Sequence, residues 1–159
     1  MAEPPALLTV GYEGCSIAGV LSVLKAAKVD LLIDVRAVAA SRKPGFSKRA
    51  LASGLDELGI GYVHLQRLGT PKPGRDAVRA GHPERMTPIF LAHMETQDAL
   101  AALAQGKGLA VEGRCCLLCF ERDHLHCHRR IVAEMIAADT GQAIEHLEVP
   151  FQGPGTLFP

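Results

Sequence analysis

Leu31-Leu-Ile-Asp-Val35 is the stretch of sequence that decides the fold class, because it is apolar apart from one residue. An apolar run without alternation is typical of a strand covered on both faces, as in a parallel sheet with helices on each side. Its charged member, Asp34, needs a partner if it is buried. The run therefore predicts an α/β fold in which the carboxylate of Asp34 is paired.

The segments around this run alternate between short apolar stretches and longer stretches of helical spacing, which is the pattern of βαβ units. The predicted strands cover residues 7–10, 31–35, 61–65, 114–119 (or 114–120) and 143–147. The predicted helices begin after Ser16, begin after Ser47 and end near Gly59, cover about 87–103, and begin near Cys127. This order predicts a single three-layer α/β domain with a mostly parallel sheet of about five strands and helices on both faces.

The length and composition fit one domain, since the chain has 159 residues of which 48% are hydrophobic and 21% are charged. We expect one domain over residues 1–159, with a core at about 7–148 and an irregular tail at 149–159. Residues 66–85 are rich in Pro, Gly and Arg. A connection of that length is unusual in a compact domain, so we expect a functional or mobile loop there.

The charge and cysteine content exclude several classes of protein. Lys+Arg and Asp+Glu both number 17, which argues against a protein that coats nucleic acid or membranes by bulk charge. No apolar run is long enough for a membrane span or a signal peptide. The five cysteines are an odd number, and four of them are clustered between Cys115 and Cys127, unlike a secreted disulfide framework. We therefore expect a cytoplasmic protein without a membrane partner, whose cysteines are thiols or ligands.

Polar and reactive side chains follow the ends of the predicted strands. In open α/β sheets ligands bind at the carboxyl ends of the strands, so residues placed there are predicted to share one site. These residues are Tyr12, Glu13, Asp34, Arg36, His64, Cys119 and Glu121. Asp34 and Arg36 are two apart on a strand and share a face, so they either grip a ligand together or form a structural ion pair. His64, among apolar residues, is either a ligand-binding or a hydrogen-bonded core histidine.

The helix predicted to begin near Cys127 carries His128, Arg129 and Arg130 in its first turn. A helix N-terminus favours a thiolate at Cys127, but it disfavours basic residues unless an anion is bound there. The sequence therefore predicts an anion site, with a small anionic or phosphorylated ligand. The alternative is that Arg129 and Arg130 pair at the surface with one of three acids, Glu121, Asp123 or Glu134.

The clustered thiols have three interpretations. Structural zinc could use Cys116 and Cys119 with a downstream His or Cys, but residues three apart on a strand point to opposite faces. A redox or nucleophilic pair of Cys119 with Cys127 fits the topology better. The remaining cysteines fit small buried hydrophobic residues: Cys15, Cys115 and Cys116. No cofactor is predicted; zinc or iron, if bound, would be held by Cys119, His126, Cys127 and His128.

Several motifs together resemble the family numbered 488 among the domains of unknown function. The motifs are Thr9-Val-Gly-Tyr-Glu13, Leu32-Ile-Asp-Val-Arg36, Ser41-Arg42 with Phe46-Ser47, Tyr62-Val-His64, Leu68-Gly-Thr-Pro-Lys72, Leu118-Cys-Phe-Glu121 and Cys127-His-Arg129. The resemblance implies a compact cytoplasmic α/β protein of bacterial type and leaves its reaction open. Family members often have His in place of Tyr12. The Asp-Val-Arg strand end is also similar to that of rhodanese-like sulfurtransferases, although no Gly lies in 120–126.

Our leading hypothesis is an enzyme that acts on an anionic, phosphate-bearing substrate at the carboxyl edge of the sheet. The predicted catalytic residues are Cys119, Glu121, Cys127 and His128, and the predicted anion-binding residues are Tyr12, Asp34, Arg36, His64 and Arg129. One alternative is a nucleic-acid-binding module that uses the basic segments 36–49 and 66–85, although these segments have few aromatic residues for stacking. Another is a metal or thiol redox protein, including rhodanese-like sulfur transfer.

Overall fold

A computed structural model describes residues 3–152, and its centre is a five-stranded sheet in which every pairing is parallel. The strands are β1 (Leu7–Gly11), β2 (Leu31–Asp34), β3 (Gly61–His64), β4 (Cys115–Cys119) and β5 (Ile144–His146). Their order across the sheet is β3-β2-β4-β1-β5. The predicted fold class is confirmed, and each predicted strand is found within two residues of its expected bounds.

Six α-helices connect and cover the strands. They are α1 (Ile17–Ala26), α2 (Lys48–Glu57), α3 (Lys72–Arg79), α4 (Pro83–His93), α5 (Gln97–Glu112) and α6 (His128–Thr140). Two predicted starts are confirmed: the Ser16 hydroxyl caps α1 by accepting from the Gly19 amide at 3.0 Å, and Ser47 is the N-cap of α2. None of the helices in residues 3–152 is long and apolar enough to cross a membrane.

The prediction was wrong between residues 66 and 103. The segment expected to be a loop, 66–85, contains a short 3-10 helix (Gln66–Leu68), all of α3 and the start of α4. The single helix expected at 87–103 is two helices, because Thr96 caps α5 through its hydroxyl. Proline at Pro73 and Pro83 suggested a loop, but both residues lie in the first turn of a helix, where proline is tolerated.

The helices cover the two faces of the sheet and form two apolar cores. One core packs α1 and α2 on one face, with Leu8, Val20, Leu51 and Cys116 among its buried residues. The other packs α4, α5 and α6 on the opposite face, with Ile33, Phe90, Leu103, Cys119 and Ile136. Cys116 and Cys119 therefore point to opposite faces, as predicted, which removes them as a joint zinc pair.

The strand order places the site. β4 lies between β2 and β1, and its register aligns Cys119 with Gly11 and Leu118 with Asp34. The chain segments that leave these three strands therefore begin side by side at one edge. Residues 149–152 carry no regular secondary structure, and the rest of the predicted irregular tail, 153–159, lies outside the described residues.

Candidate functional site

A cavity of about 680 Å³ opens at the carboxyl edge of the sheet. Six of the residues predicted for the site lie in its wall: Tyr12, Glu13, Arg36, Cys119, Glu121 and His128. His126 lies there too. Asp34, His64, Cys127 and Arg129 are not in the wall and are placed behind it, in contact with the residues that line it. The polar side chains predicted for this edge therefore lie close together there, and their roles stay predictions.

Cys119 and Cys127 meet at the centre of the cluster. Cys119 ends β4, Cys127 precedes α6, and their sulfur atoms are paired as a disulfide. Both residues are almost completely buried. Their Cα atoms are 7.6 Å apart, whereas disulfides usually join Cα atoms about 4.4–6.8 Å apart. The backbone therefore holds the two thiols facing each other at a spacing wider than a relaxed disulfide.

Arg129 is buried beside these sulfurs without a carboxylate partner. Its guanidinium donates to Cys119 Sγ at 3.1 Å, to Thr9 Oγ1 at 3.1 Å and to the Arg122 carbonyl at 3.2 Å, and also to the Glu121 carbonyl. Burial lowers the pKa of Arg129 to about 10. Arg129 forms no ion pair within residues 3–152, whereas Arg130 pairs with Glu134 as the surface alternative expected. The positive charge of Arg129 thus favours the thiolate form of Cys119.

Cys127 is itself the N-cap of α6. Its Sγ accepts from the Arg129 amide at 3.4 Å, so the helix N-terminus faces a sulfur of this chain. His128 follows, and its Nε2 donates to the Val35 carbonyl at 2.7 Å. The other ring nitrogen, Nδ1, therefore lacks a hydrogen and lies 3.8 Å from Cys127 Sγ. Burial lowers the pKa of His128 to about 4, which keeps the ring neutral, so Nδ1 can accept a hydrogen bond but is too weak a base to take a thiol proton.

Glu121 supplies an acid–base group next to both sulfurs. One of its carboxylate oxygens and the two sulfur atoms lie within 4.8 Å of one another. Burial raises the pKa of Glu121, and the nearby charge of Glu13 acts in the same direction. A raised pKa makes a carboxylate a better proton acceptor than a free glutamate and leaves more of it protonated at a given pH. The position suits general acid–base chemistry on a group bound at Cys119.

The guanidinium of Arg36 is bound mainly by other residues of this chain. Its Nε and Nη2 bind the two carboxylate oxygens of Asp34 at 2.9 and 2.7 Å, and its Nη1 donates to the Tyr12 hydroxyl and the Phe46 carbonyl. Tyr62 donates to the same carboxylate at 2.6 Å. These contacts match the structural ion pair considered above. One N–H of Nη2 is left for a ligand, so anion binding by Arg36 stays a prediction.

The histidines do not form the predicted metal set. His64 donates from Nε2 to the Arg36 carbonyl at 2.7 Å, which matches the hydrogen-bonded core histidine. His126 is exposed and pairs with Asp123. In the described part of the chain, the cluster with metal-ligand spacing consists of Cys119, Glu121 and Cys127, so His126 and His128 are replaced by Glu121 in that set.

Sequence analysis missed several residues that shape the site. Arg75 and Arg79, which the sequence placed only in the basic segment 66–85, line the cavity from α3, a helix that was expected to be loop. Thr9 connects Arg129 to His146 through its hydroxyl. A Cβ on Gly11 would lie 1.9 Å from the Glu121 carbonyl oxygen, so the loop after β4 requires glycine there. The sequence signal for Gly11 was its position directly after a predicted buried strand, because a glycine there often marks the close approach of another backbone segment.

Comparison with known proteins gives one family match. The family model described as Domain of unknown function DUF488 matches residues 16–136. No curated protein and no solved structure matches the chain. The matched range begins at the cap of α1 and ends within α6, so it contains Cys119, Glu121, Cys127 and Arg129.

Proposed function

We propose that this chain, which belongs to the DUF488 family, is a thiol-dependent enzyme that acts on an anionic substrate at the carboxyl edge of its sheet. The observation that carries the proposal is the position of Cys119. Cys119 lines the cavity, its sulfur accepts a hydrogen bond from a buried arginine, and that sulfur lies within 4.8 Å of a Glu121 carboxylate oxygen. A thiolate, a positive charge and a proton carrier are the parts of a nucleophilic site.

Cys119 is the attacking thiol, since it lines the cavity whereas Cys127 lies behind it. The sulfur forms a bond to the electrophilic atom of the substrate. The bond to the leaving group breaks, and the leaving group departs with its electron pair and takes a proton from Glu121. Arg129 keeps Cys119 ionised before the attack by its hydrogen bond to the sulfur.

The anionic part of the substrate, such as a phosphate, is bound by Arg75 and Arg79. Both project into the cavity from α3, and neither forms an ion pair within the described residues 3–152. Arg75 is oriented by a bond from its Nη1 to the Thr70 carbonyl at 2.8 Å. Arginine suits this role because its planar donors match the oxygens of phosphate and carboxylate groups.

The contact between the two sulfurs favours a second candidate, transfer of a sulfur atom. In that reaction the Cys119 thiolate attacks the sulfane sulfur of an anionic donor, the bond from that sulfur to the rest of the donor breaks, and the rest of the donor leaves with the electron pair, so that Cys119 carries a persulfide. The Cys127 thiolate then attacks Cys119 Sγ, hydrogen sulfide leaves with the electron pair, and the Cys119–Cys127 disulfide forms. A cellular dithiol reductant reopens the pair.

The test compares two alkylating probes of similar size, anionic iodoacetate and neutral iodoacetamide, on the reduced full-length protein. Intact-mass and peptide mass spectrometry identify the modified cysteine. We expect Cys119 to be modified first. We also expect the rate of alkylation by iodoacetate to be raised relative to that by iodoacetamide, because Arg75 and Arg79 attract the anionic probe. Arg79→Ala should lower the ratio of the two rates about tenfold, the value of one charge-assisted bond.

Arg85→Ala is the matched control, since Arg85 is an exposed arginine outside the cavity wall. It should leave the ratio unchanged. Preferential modification of another cysteine would contradict the nucleophilic role of Cys119, and an unchanged ratio in Arg79→Ala would contradict the anion site. Once a substrate is found, Glu121→Gln should abolish turnover while the protein stays folded.

A further inference from the structure

We infer that the reduced protein binds one divalent zinc-type ion through Cys119, Glu121 and Cys127, with a fourth coordination position open to the cavity. The ion would regulate the same site, because it occupies the thiolate that would attack the substrate. This regulatory consequence rests on the proposed function. Metal occupancy, disulfide formation and nucleophilic attack therefore exclude one another.

The three donors have the spacing of a metal site. A sulfur of each cysteine and a carboxylate oxygen of Glu121 lie within 4.8 Å of one another. Ligands of a tetrahedral zinc ion, with bonds of about 2.0–2.3 Å, are separated from one another by about 3.5–3.8 Å. The two sulfurs are bonded to each other in this structure, so after reduction they must move apart to reach that spacing. The Cα separation of 7.6 Å is wider than that of most disulfides.

The charges around the site balance once an ion is present. Two thiolates and one carboxylate carry three negative charges, and a divalent ion leaves one of them uncompensated. Arg129, which is 1% exposed and has no carboxylate partner in residues 3–152, supplies the remaining positive charge. Its N–H bond to Cys119 Sγ at 3.1 Å is the kind of outer contact that orients metal-bound thiolates.

The type of donor selects the ion. Two thiolates with one carboxylate favour zinc or ferrous iron over magnesium and calcium, which prefer oxygen ligands. Cys119 and Glu121 line the cavity, so the fourth position faces it. Three protein ligands and one open position are typical of zinc sites that exchange a ligand. His128 is not available as the fourth ligand through Nε2, which donates to the Val35 carbonyl.

Binding is linked to protons and to redox state. Each cysteine thiol that coordinates the ion releases its proton, so binding one ion releases two thiol protons. An oxidant that removes two electrons from the two sulfurs forms the disulfide and removes both sulfur ligands. The structure with the sulfurs paired is then the metal-free form, and reduction restores the donor set.

The experiment titrates Co²⁺ and Zn²⁺ into reduced, full-length protein. Thiolate-to-cobalt charge-transfer absorption reports sulfur ligation, elemental mass spectrometry gives the stoichiometry, and a chromophoric chelator gives the affinity for Zn²⁺. We expect one ion per chain. Diamide, which oxidises the thiols to the disulfide, should release it.

Variants assign the ligands. Cys119→Ser and Cys127→Ser should each weaken Zn²⁺ binding by more than about 100-fold, and Glu121→Gln by more than about tenfold, since even outer partners contribute about 10–100-fold. Cys115→Ser is the matched control, because Cys115 is a buried free thiol whose bond to the Leu109 carbonyl a serine keeps. His126→Ala should also bind normally. Circular dichroism verifies that each variant is folded.

Two results would overturn the inference: absence of thiolate-to-cobalt absorption in the reduced protein, or loss of binding in Cys115→Ser as large as in Cys119→Ser. The alkylation assay separates this failure from that of the proposed function. If no ion binds while Cys119 still reacts first, only the metal inference fails. If the ion binds but metal-free reduced Cys119 does not react, only the thiol enzyme fails. If both hold, Zn²⁺ should protect Cys119 from alkylation.

Discussion

Arg36 and Arg129 are two buried arginines at the same edge of the sheet, yet they have opposite electrostatic surroundings. Arg36 is bound by both oxygens of Asp34, which outweighs the effect of burial and raises its pKa. Arg129 donates to carbonyls, a hydroxyl and a sulfur, and burial lowers its pKa to about 10. A buried cation with an acid partner is a structural clamp, whereas one without an acid favours a nearby anion such as a thiolate.

The largest loss of stability is expected from removing the carboxylate of Asp34, the ion-pair partner of Arg36. Asp34→Asn leaves Arg36 buried with no carboxylate, and breaking a buried ion pair in this way costs about 3–5 kcal/mol of unfolding free energy. Denaturant unfolding of the reduced protein measures the loss. Asp76→Asn removes the acid of an exposed pair with Lys72 and should leave stability nearly unchanged. A loss in Asp34→Asn below about 1 kcal/mol would contradict the clamp.

A smaller stability loss but a larger chemical effect is expected at the second arginine. Arg129→Gln removes an uncompensated charge, which is favourable, but leaves the carbonyls of Glu121 and Arg122 without donors. The net loss should be about 1–3 kcal/mol. Without the charged hydrogen bond the thiolate fraction of Cys119 should fall about tenfold at neutral pH. The rate of alkylation by neutral iodoacetamide measures that fraction.

Asp34→Asn serves as the reciprocal control for that rate. It disturbs Arg36 but leaves the contacts of Arg129 with Cys119 in place, so the iodoacetamide rate should stay at the wild-type value. Equal slowing in the two variants would show that the two arginines do not act separately. A wild-type rate in Arg129→Gln would remove Arg129 from the account of Cys119.

The smallest effect is expected from a histidine that extends the contacts of Arg129. Thr9 Oγ1 accepts from Arg129 Nε and is also hydrogen-bonded to His146 Nδ1. Burial, with the charges of His124 and Arg129, lowers the pKa of His146 from 6.5 to about 4. The unfolded chain therefore binds more protons between these values, and stability should fall as the pH is lowered from about 6.5 towards 4.

His146→Gln should make the stability curve flatter between about pH 6.5 and 4 and should change little above that window, where the ring is neutral in both states. The ring is partly exposed, so solvent screening limits the difference to about 1 kcal/mol or less. Thermal unfolding of both proteins across this range measures it. Parallel curves for the two proteins would show that His146 does not contribute.

The sequence predicted the sheet better than the helices that follow β3. Strands were predictable because their apolar runs are short, bounded and buried on both faces, as at Leu31–Asp34. Helices α3 and α4 were missed because Pro73 and Pro83 are loop signals as well as signals for a first helical turn. Because α3 was not predicted, Arg75 and Arg79 could not be placed in the cavity wall. They are the two arginines of the cavity with no ion pair in residues 3–152.

The sequence by itself determined the α/β class, the opposite orientation of Cys116 and Cys119, and the helix that begins after Cys127. Each follows from local periodicity or capping, which act over a few residues. Only the tertiary structure decided that Arg129 contacts Thr9, 120 positions away along the chain. It also decided that the guanidinium of Arg36 is paired with the carboxylate of Asp34, whereas the guanidinium of Arg129 donates to the sulfur of Cys119. Those pairings depend on β4 lying between β1 and β2, an order that local patterns do not encode.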